Sequence, residues 1–282
     1  MRTKLTLLFL LFIQVNCVFS YISSSSKKVL RIIETPKEVH LVPIYAADTR
    51  AHRLGIQRNL SASEFIGSMG GQFPVYNLNR GKHRFQLEIA GSTYMGLLRF
   101  INHGSVLNTD FYVDVFLNYQ FRNNWALRLG SGHTSQHLSD DAIANAQYPF
   151  TNYARDYHQV GISYKGKRNA YHLYNNVIIN YNFKTDEDHS GKITIQPGFE
   201  LNINQTLFNQ TKPGGFIIGG DFKFRGELDF RSTNNLLLAY QFNHLHPQKL
   251  RLVMNFSSGA DERGQFYRSN RNLISTGIYA EF

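Results

Sequence analysis

A run of histidine and serine residues, RLGSGHTSQHLSDD at 128–141, carries side chains that are suited to acyl transfer. His133 and Ser135 are two residues apart, a spacing that on a β-strand puts both on one face with their backbones about 7 Å apart. At that separation an imidazole can take the proton of a serine hydroxyl, which makes the hydroxyl a nucleophile. Such a base needs a third polar group to orient it. Asp156, in the next strand, is our choice for this role, with Asn152 as the second choice.

The elements that must position these residues are β-strands, because apolar and polar side chains alternate with a period of two. In ITIQPGFELNIN, at 193–204, one face is apolar and is made by Ile193, Ile195, Phe199, Leu201 and Ile203. The opposite face is polar and is made by Thr194, Gln196, Glu200, Asn202 and Asn204. Long strands of this kind are typical of barrels with lipid outside and a polar interior. The predicted fold is therefore all-β, an antiparallel transmembrane β-barrel.

Similar segments recur along the chain and predict about 12 strands, an even number of the kind that bacterial barrels have. They lie near 63–74, 83–95, 110–122, 124–137, 154–165, 170–183, 193–204, 221–230, 235–243, 249–257 and 272–282, with a doubtful one within 40–58. Most connections alternate between short and long, as expected for periplasmic turns and external loops. The connections at 207–214 and 231–234 break this alternation.

The short turn at Asn123–Asn124 indicates that strand 124–137 begins at the periplasmic side. Leu129 then faces lipid, and His133 and Ser135 lie on the same outward face near the external rim. Asp156 faces outward on the adjacent strand. The arrangement fits a catalytic group in the outer leaflet, but it also fits a polar rim that contacts lipid headgroups.

The chain begins with a basic and then apolar segment, MRTKLTLLFLLFIQVNCVFS, which predicts a signal peptide over residues 1–20. Acylation at Cys17 is the lesser alternative. Residues 21–60 are expected to form a periplasmic N-terminal arm, and residues 61–282 the barrel. Export to a Gram-negative envelope makes nucleic acid an improbable partner for the net charge of +10. Lipopolysaccharide phosphates suit these cations better, so we expect a bacterial outer-membrane protein whose partners are outer-membrane lipids and lipopolysaccharide.

The C-terminal segment ISTGIYAEF ends in an aromatic residue after an alternating strand. Phe282 shares its face with Ala280, Ile278 and Ile274. This ending is expected to be the signal through which the barrel assembly machinery recognises the chain.

Charged residues of both signs are predicted to point into the barrel interior. They are Asp114, Glu200, Lys223, Arg225, Glu227 and Asp229. Because positive and negative residues are intermixed, they favour a salt-bridged, plugged interior over a narrow channel.

No metal or cofactor is expected from the residue pattern. His133 and His137 would lie about 13 Å apart along a strand, too far to share an ion. The acidic loop KTDEDHS is better explained as a solvated turn than as a Ca²⁺ site. If the chain is a hydrolase, a requirement for Ca²⁺ is the open alternative.

Several stretches resemble a bacterial outer-membrane family known only as domain-of-unknown-function family 1207. They are YAADTRAHRLGI, GSMGGQFPVYNL, FQLEIAGSTY, VLNTDFYVDVFLNYQFRNNWALRLGSGHTSQHLSDD and NYARDYHQVGISY. The resemblance runs from about residue 41 to at least 185, and it implies an outer-membrane β-barrel without an established activity. The His-x-Ser spacing also resembles the outer-membrane phospholipase and lipid A deacylase families, and only His133 and Ser135 carry that likeness.

Two classes of function are therefore predicted. One is a non-enzymatic barrel, either a structural or accessory envelope component or a narrow channel. The alternative is an outer-leaflet phospholipid or lipid A acyl hydrolase. The direction in which His133 and Ser135 face discriminates between them, since lipid-facing residues favour the hydrolase.

Overall fold

The computed structural model describes residues 40–99, 104–144, 151, 153–167, 170–184, 193–204, 214–242 and 248–282. They form a closed antiparallel barrel of twelve strands, in which each strand pairs with the next and the first pairs with the last. The predicted fold class is thus confirmed. The strands are β1 Leu54–Asn59, β2 Glu64–Arg80, β3 His83–Arg99, β4 Gly104–Arg122, β5 Trp125–Leu138, β6 Tyr153–Lys165, β7 Tyr171–Lys184, β8 Ile193–Asn202, β9 Gly215–Arg225, β10 Arg231–Phe242, β11 Lys249–Gly259 and β12 Leu273–Glu281. One short helix, α1 (Asp140–Ala144), follows β5.

Strand direction divides the connections between two ends of the barrel. We call one end the turn rim; it holds the connections at 81–82, 123–124 and 166–170 and the C-terminal Phe282. The other end, the loop rim, holds among others the connections at 139–152, 226–230 and 260–272. The turn rim also holds the longer connection 203–214, so the irregular lengths predicted on either side of β9 are real.

The outer face of the barrel is apolar because alternate residues of each strand point away from the interior. Val113, Leu129, Val160, Ile218 and Leu252 are each at least 40% exposed on this face. Aromatic residues cluster near the turn rim, where the Trp125 ring packs edge-on against Tyr164 and the Phe85 ring stacks on Tyr119. Such belts mark the boundary between lipid and water. Within the described residues, no helix is long and apolar enough to span a bilayer.

Residues 40–53, which we call the luminal segment, lie inside the barrel instead of outside it. Val42, Ala46 and Arg53 are each at most 1% exposed. The segment starts at the turn rim, where His40 Nε2 contacts the backbone carbonyl of Phe282 at 3.0 Å, and it leads directly into β1 at Leu54. The predicted boundary between a periplasmic arm (21–60) and the barrel (61–282) is therefore wrong for residues 40–60. Residues 41–47 of the segment are apolar and residues 48–53 are mostly polar, so no single pattern in the sequence marked it as part of the lumen.

Ion pairs hold the luminal segment to the barrel wall. Lys223 donates to Asp48 at 2.6 Å and also to Glu262 of the loop rim. Arg50 pairs with Asp110 at 3.3 Å, and the Arg53 guanidinium lies 3.6 Å from the centre of the Tyr279 ring. Carboxylates and cations thus neutralise one another around the segment, as the predicted salt-bridged interior requires.

Five of the six residues predicted to face the lumen do so. Asp114, Lys223, Arg225 and Glu227 are buried, and Glu200 accepts a hydrogen bond from the backbone N–H of Ala46 at 2.6 Å. Asp229 is the exception, because β9 ends at Arg225 and the chain turns before it. Its backbone is left-handed, with φ of 55°, and its side chain is exposed. The predicted strand 221–230 extends five residues past the end of β9, since the alternation continues by chance through the turn.

Candidate functional site

Strands β5 and β6 bring together the residues that the sequence singled out. His133 and Asp156 are direct register partners, and directly opposite residues in an antiparallel pair project to the same face. The neighbours Thr134 and Gln136 are buried in the lumen, at 0% and 3% exposure. His133 and Ser135 therefore point outward, as predicted.

A hydrogen bond joins the histidine to the carboxylate. His133 Nδ1 lies 2.7 Å from Asp156 Oδ1. Because an ionised carboxylate only accepts hydrogen bonds, the proton of a neutral imidazole resides on Nδ1 here. Nε2 is then left with its lone pair, which is the form that a general base requires.

Ser135 lies two residues beyond His133 on the same outward face. Its register partners are Phe111 on β4 and Ala154 on β6. Among the hydrogen bonds of the described residues, none joins the Ser135 hydroxyl to His133. The two backbones are about 7 Å apart, so contact between the hydroxyl and the imidazole depends on the side-chain rotamers of Ser135 and His133. Ser131 lies two residues before His133 on the same outward face, deeper in the apolar band.

The surroundings of the site are apolar. Val113 pairs with His133 and Phe111 with Ser135, and these two apolar side chains are 61% and 43% exposed. His133 is eight residues along β5 from Trp125 of the turn-rim aromatic belt, a rise of about 20 Å for a strand tilted by roughly 40°. Since the apolar band of such barrels is about 25 Å tall, the site lies near the edge of the band on the loop-rim side.

Asn182 of β7 is a member of the site that sequence reasoning missed. Its Nδ2 donates to Asp156 Oδ2 at 2.7 Å. Strict alternation assigns residue 182 to the lumen, like the buried Asn180. An irregularity in the β6–β7 register turns it outward instead. The available signal was an asparagine near a strand end, a residue that adopts left-handed backbone more easily than most.

Two earlier candidates lie outside the described residues. Asn152, the second choice for the orienting residue, is one of them. The acidic stretch 185–190 of the KTDEDHS loop is the other. Within the residues that the structure does describe, no group of three or more His, Cys, Asp or Glu side chains is placed to hold a metal ion.

A second serine–histidine–aspartate chain lies in the lumen. His52 contacts Ser92 Oγ through Nδ1 at 3.0 Å and Asp114 Oδ2 through Nε2 at 2.8 Å. The Tyr157 hydroxyl donates to the same carboxylate at 2.9 Å. A cavity of about 120 Å³ touches His52 and Asp114 but not Ser92. Ser92 is 7% exposed, and the chain of contacts fastens the luminal segment to β3, β4 and β6.

Solved structures with a similar fold are outer-membrane barrels. The outer membrane phospholipase of Salmonella typhi, solved as a dimer with bound calcium, is 13% identical with a TM-score of 0.58; the match covers 88% of this chain and 96% of that one. Outer membrane phospholipase A of Escherichia coli is 12% identical with a TM-score of 0.56, and the match covers 81% and 95% of the two chains. At these identities the likeness shows the fold alone.

Comparison at the level of sequence gives a family without an assigned role. No curated protein matches the chain. A family model described as "Protein of unknown function (DUF1207)" matches residues 17–282, nearly the whole chain. The chain therefore belongs to the DUF1207 family of proteins of unknown function.

Proposed function

We propose that this barrel is an acyl hydrolase that acts on lipids of the outer leaflet, with Ser135 as nucleophile, His133 as general base and Asp156 as the residue that orients the base. The observation that supports it most is the 2.7 Å contact between His133 Nδ1 and Asp156 Oδ1 on the lipid-facing surface. A rim patch that only contacts headgroups needs polar residues, but it does not need an imidazole held in one tautomer.

The chemistry follows from the positions of these three groups. Ser135 Oγ attacks the ester carbonyl while its proton passes to His133 Nε2. The alcohol leaves with that proton, and the acyl group stays on Ser135. Water then attacks the acyl-serine with His133 again as base, which releases the fatty acid and restores the hydroxyl. Asp156 stabilises the imidazolium that forms in each step.

The substrate class follows from what surrounds Ser135. The exposed Phe111 and Val113 suit acyl chains, since burying apolar surface against lipid is favourable. Lys184 is the register partner of Ala154, which itself partners Ser135. It therefore places a cation two strands away on the same face, where it can bind a headgroup phosphate. Phospholipids and lipid A both combine acyl esters with phosphate.

A bacterial outer-membrane location belongs to the same proposal, with outer-membrane lipids and lipopolysaccharide as partners. The barrel assembly machinery is proposed to recognise β12 and the exposed Phe282, which lies on the outward face as Ile278 does. No cofactor is proposed. The carboxylate beside Ser135 is already bound by His133 and Asn182, and Ca²⁺ requires six to eight oxygen ligands.

The channel interpretation is supported less well. The luminal segment occupies the interior, and Asp48, Arg50 and Arg53 tie it to the wall by ion pairs and ring contacts. A narrow conducting path would require that these contacts break. A structural or accessory role is also compatible with the fold. A negative result for hydrolysis would favour that role.

The test is acyl release from phospholipid and from lipid A by the purified, folded barrel in detergent, with Ca²⁺ and with EDTA. We expect release by the wild type that is lost in Ser135→Ala and in His133→Ala. Ser131→Ala is the matched control, since Ser131 is exposed on the same face of the same strand; it should retain activity. Equal release by all four proteins would contradict the proposal, as would no release by the wild type under either condition.

A further inference from the structure

A β-bulge in β7 lies beside the proposed catalytic residues. Ala154 pairs with Lys184, and Asp156 pairs with Tyr181. Two steps along β6 therefore face three steps along β7. The extra residue is accommodated where Asn182 adopts a left-handed backbone, with φ of 50°. Bulges of this kind re-aim side chains and are common near functional sites.

The bulge changes which side of the sheet Asn182 faces. Tyr181 and Asn182 are both exposed, although they are consecutive. Phe183, the next residue, packs on the luminal side against the ring of Tyr153 at a centroid distance of 5.3 Å. Without the bulge, the period of two would send Asn182 into the lumen with Asn180, which is 2% exposed. The backbone irregularity is thus what delivers this amide to the outer face.

Asn182 and His133 bind opposite oxygens of one carboxylate. Asn182 Nδ2 donates to Asp156 Oδ2 at 2.7 Å, and His133 Nδ1 contacts Asp156 Oδ1 at 2.7 Å. The assignment of the amide nitrogen follows from chemistry, because a carboxylate cannot donate to the amide oxygen. The Asp156 side chain is 27% exposed, so close packing does not enclose its carboxylate on all sides. A second hydrogen bond on the far oxygen fixes the plane of the group.

We infer that Asn182 is a positioning residue: it orients Asp156, and through Asp156 it holds His133 in the tautomer and direction that Ser135 needs. The inference rests on the proposed hydrolase. Asparagine suits the position for two reasons. It tolerates positive φ better than most residues do, and its amide supplies the donor that glycine, the other residue suited to positive φ, lacks.

The test replaces the amide and preserves the backbone. Asn182→Gly keeps a residue that adopts the left-handed conformation readily and removes the donor. Asn175→Gly is the matched control, because Asn175 is exposed on the outer face of the same strand but lies near the turn rim. We expect kcat for lipid acyl release to fall roughly 10- to 100-fold in Asn182→Gly with KM within about two-fold of wild type, the range found when a partner that orients an active group is lost. Asn175→Gly should match wild type in both constants.

A second measurement separates this inference from the proposed function. The ¹⁵N chemical shifts of the His133 ring, assigned with His133→Gln, report which nitrogen carries the proton whether or not the barrel hydrolyses lipid. In wild type and Asn175→Gly we expect the Nδ1–H form to dominate, and in Asn182→Gly we expect a mixture with Nε2–H. If wild type lacks hydrolysis but shows this tautomer change, the proposed function fails and the positioning role stands. If Asn182→Gly keeps the wild-type tautomer, the inference is overturned, and unchanged kcat in a hydrolytically active barrel would overturn it equally.

Discussion

Glu88 links the luminal segment to the barrel wall, and its replacement by glutamine tests that attachment. Glu88 lies on β3 and is 0% exposed. His40 Nδ1 contacts its Oε1 at 2.6 Å. Gln72 and Asn118 each donate to Oε2 at 2.7 Å, and Arg128 donates to the same oxygen at 3.0 Å. One carboxylate thus joins the luminal segment, β2, β4 and β5.

The magnitude follows from the loss of the ion pair. Glu88→Gln leaves the Arg128 guanidinium buried without its carboxylate, which costs about 3–5 kcal/mol when one partner of a buried pair is removed. For a chain of this length about 2–4 °C of Tm corresponds to 1 kcal/mol, so we expect a fall of roughly 6–20 °C. The assay heats samples to increasing temperatures before a denaturing gel. It records the temperature at which the fast-migrating band of the folded barrel disappears. Asp229→Asn, at an exposed turn, is the control and should stay within about 0.5 kcal/mol of wild type.

A double variant sharpens the same prediction. In Glu88→Gln combined with Arg128→Gln the uncompensated charge is gone, so part of the lost stability should return. The return is incomplete because Arg128 also donates to the Val42 carbonyl and lies over the Phe116 ring. A Tm for Glu88→Gln within about 2 °C of wild type would contradict this expectation, because it would mean that the segment is held without this carboxylate.

Three further predictions concern the site, the loop rim and the wall. Asp156→Asn should reduce acyl release by about 10⁴-fold, since an amide favours the wrong imidazole tautomer; kcat measured beside wild type checks this. Burial opposes ionisation of Asp261, but the Arg263 guanidinium beside it outweighs burial and lowers its pKa. The ionised Asp261 therefore stabilises the folded barrel above about pH 4, and this stabilisation is lost at lower pH. The difference in Tm between wild type and Asp261→Asn should shrink as the pH falls below about 4. Gly132→Ala places a Cβ 2.1 Å from an Asp114 oxygen and should lower the free energy of unfolding by about 1–3 kcal/mol. In the control Gly67→Ala the nearest atom is 3.7 Å away, so its thermal melting should be close to that of wild type.

The period-two pattern was sufficient to predict the barrel and the facing of His133, Ser135 and Asp156. Each of these residues lies within a strand whose alternation is unbroken, so parity counted from the apolar positions gives the right side of the wall. The cross-strand contact between His133 and Asp156 needed a register. The sequence did not supply the β5–β6 register; Asp156 was selected because the apolar positions Val160 and Ile162 put it on the outward face near the external end of its strand.

The errors have one physical cause, which is that alternation says nothing about where a strand is interrupted. Asn182 was missed because one extra residue in β7 reverses parity. Asp229 was misplaced because the chain turns at Gly226–Leu228 while the polar and apolar residues continue to alternate. Residues 40–53 have no strand periodicity, so their place inside the barrel depends on contacts with residues far along the chain, such as that of Asp48 with Lys223.

The most direct test of the central claim, that Ser135 is an activated nucleophile on the lipid-facing surface, is covalent labelling. The folded barrel is treated with a fluorophosphonate, from which an activated serine displaces fluoride, and the modified residue is located by peptide mass spectrometry. We expect a phosphonyl group on Ser135 in wild type and none in His133→Ala. An unlabelled Ser135 in a folded wild-type barrel, or a label on Ser131 in its place, would contradict it.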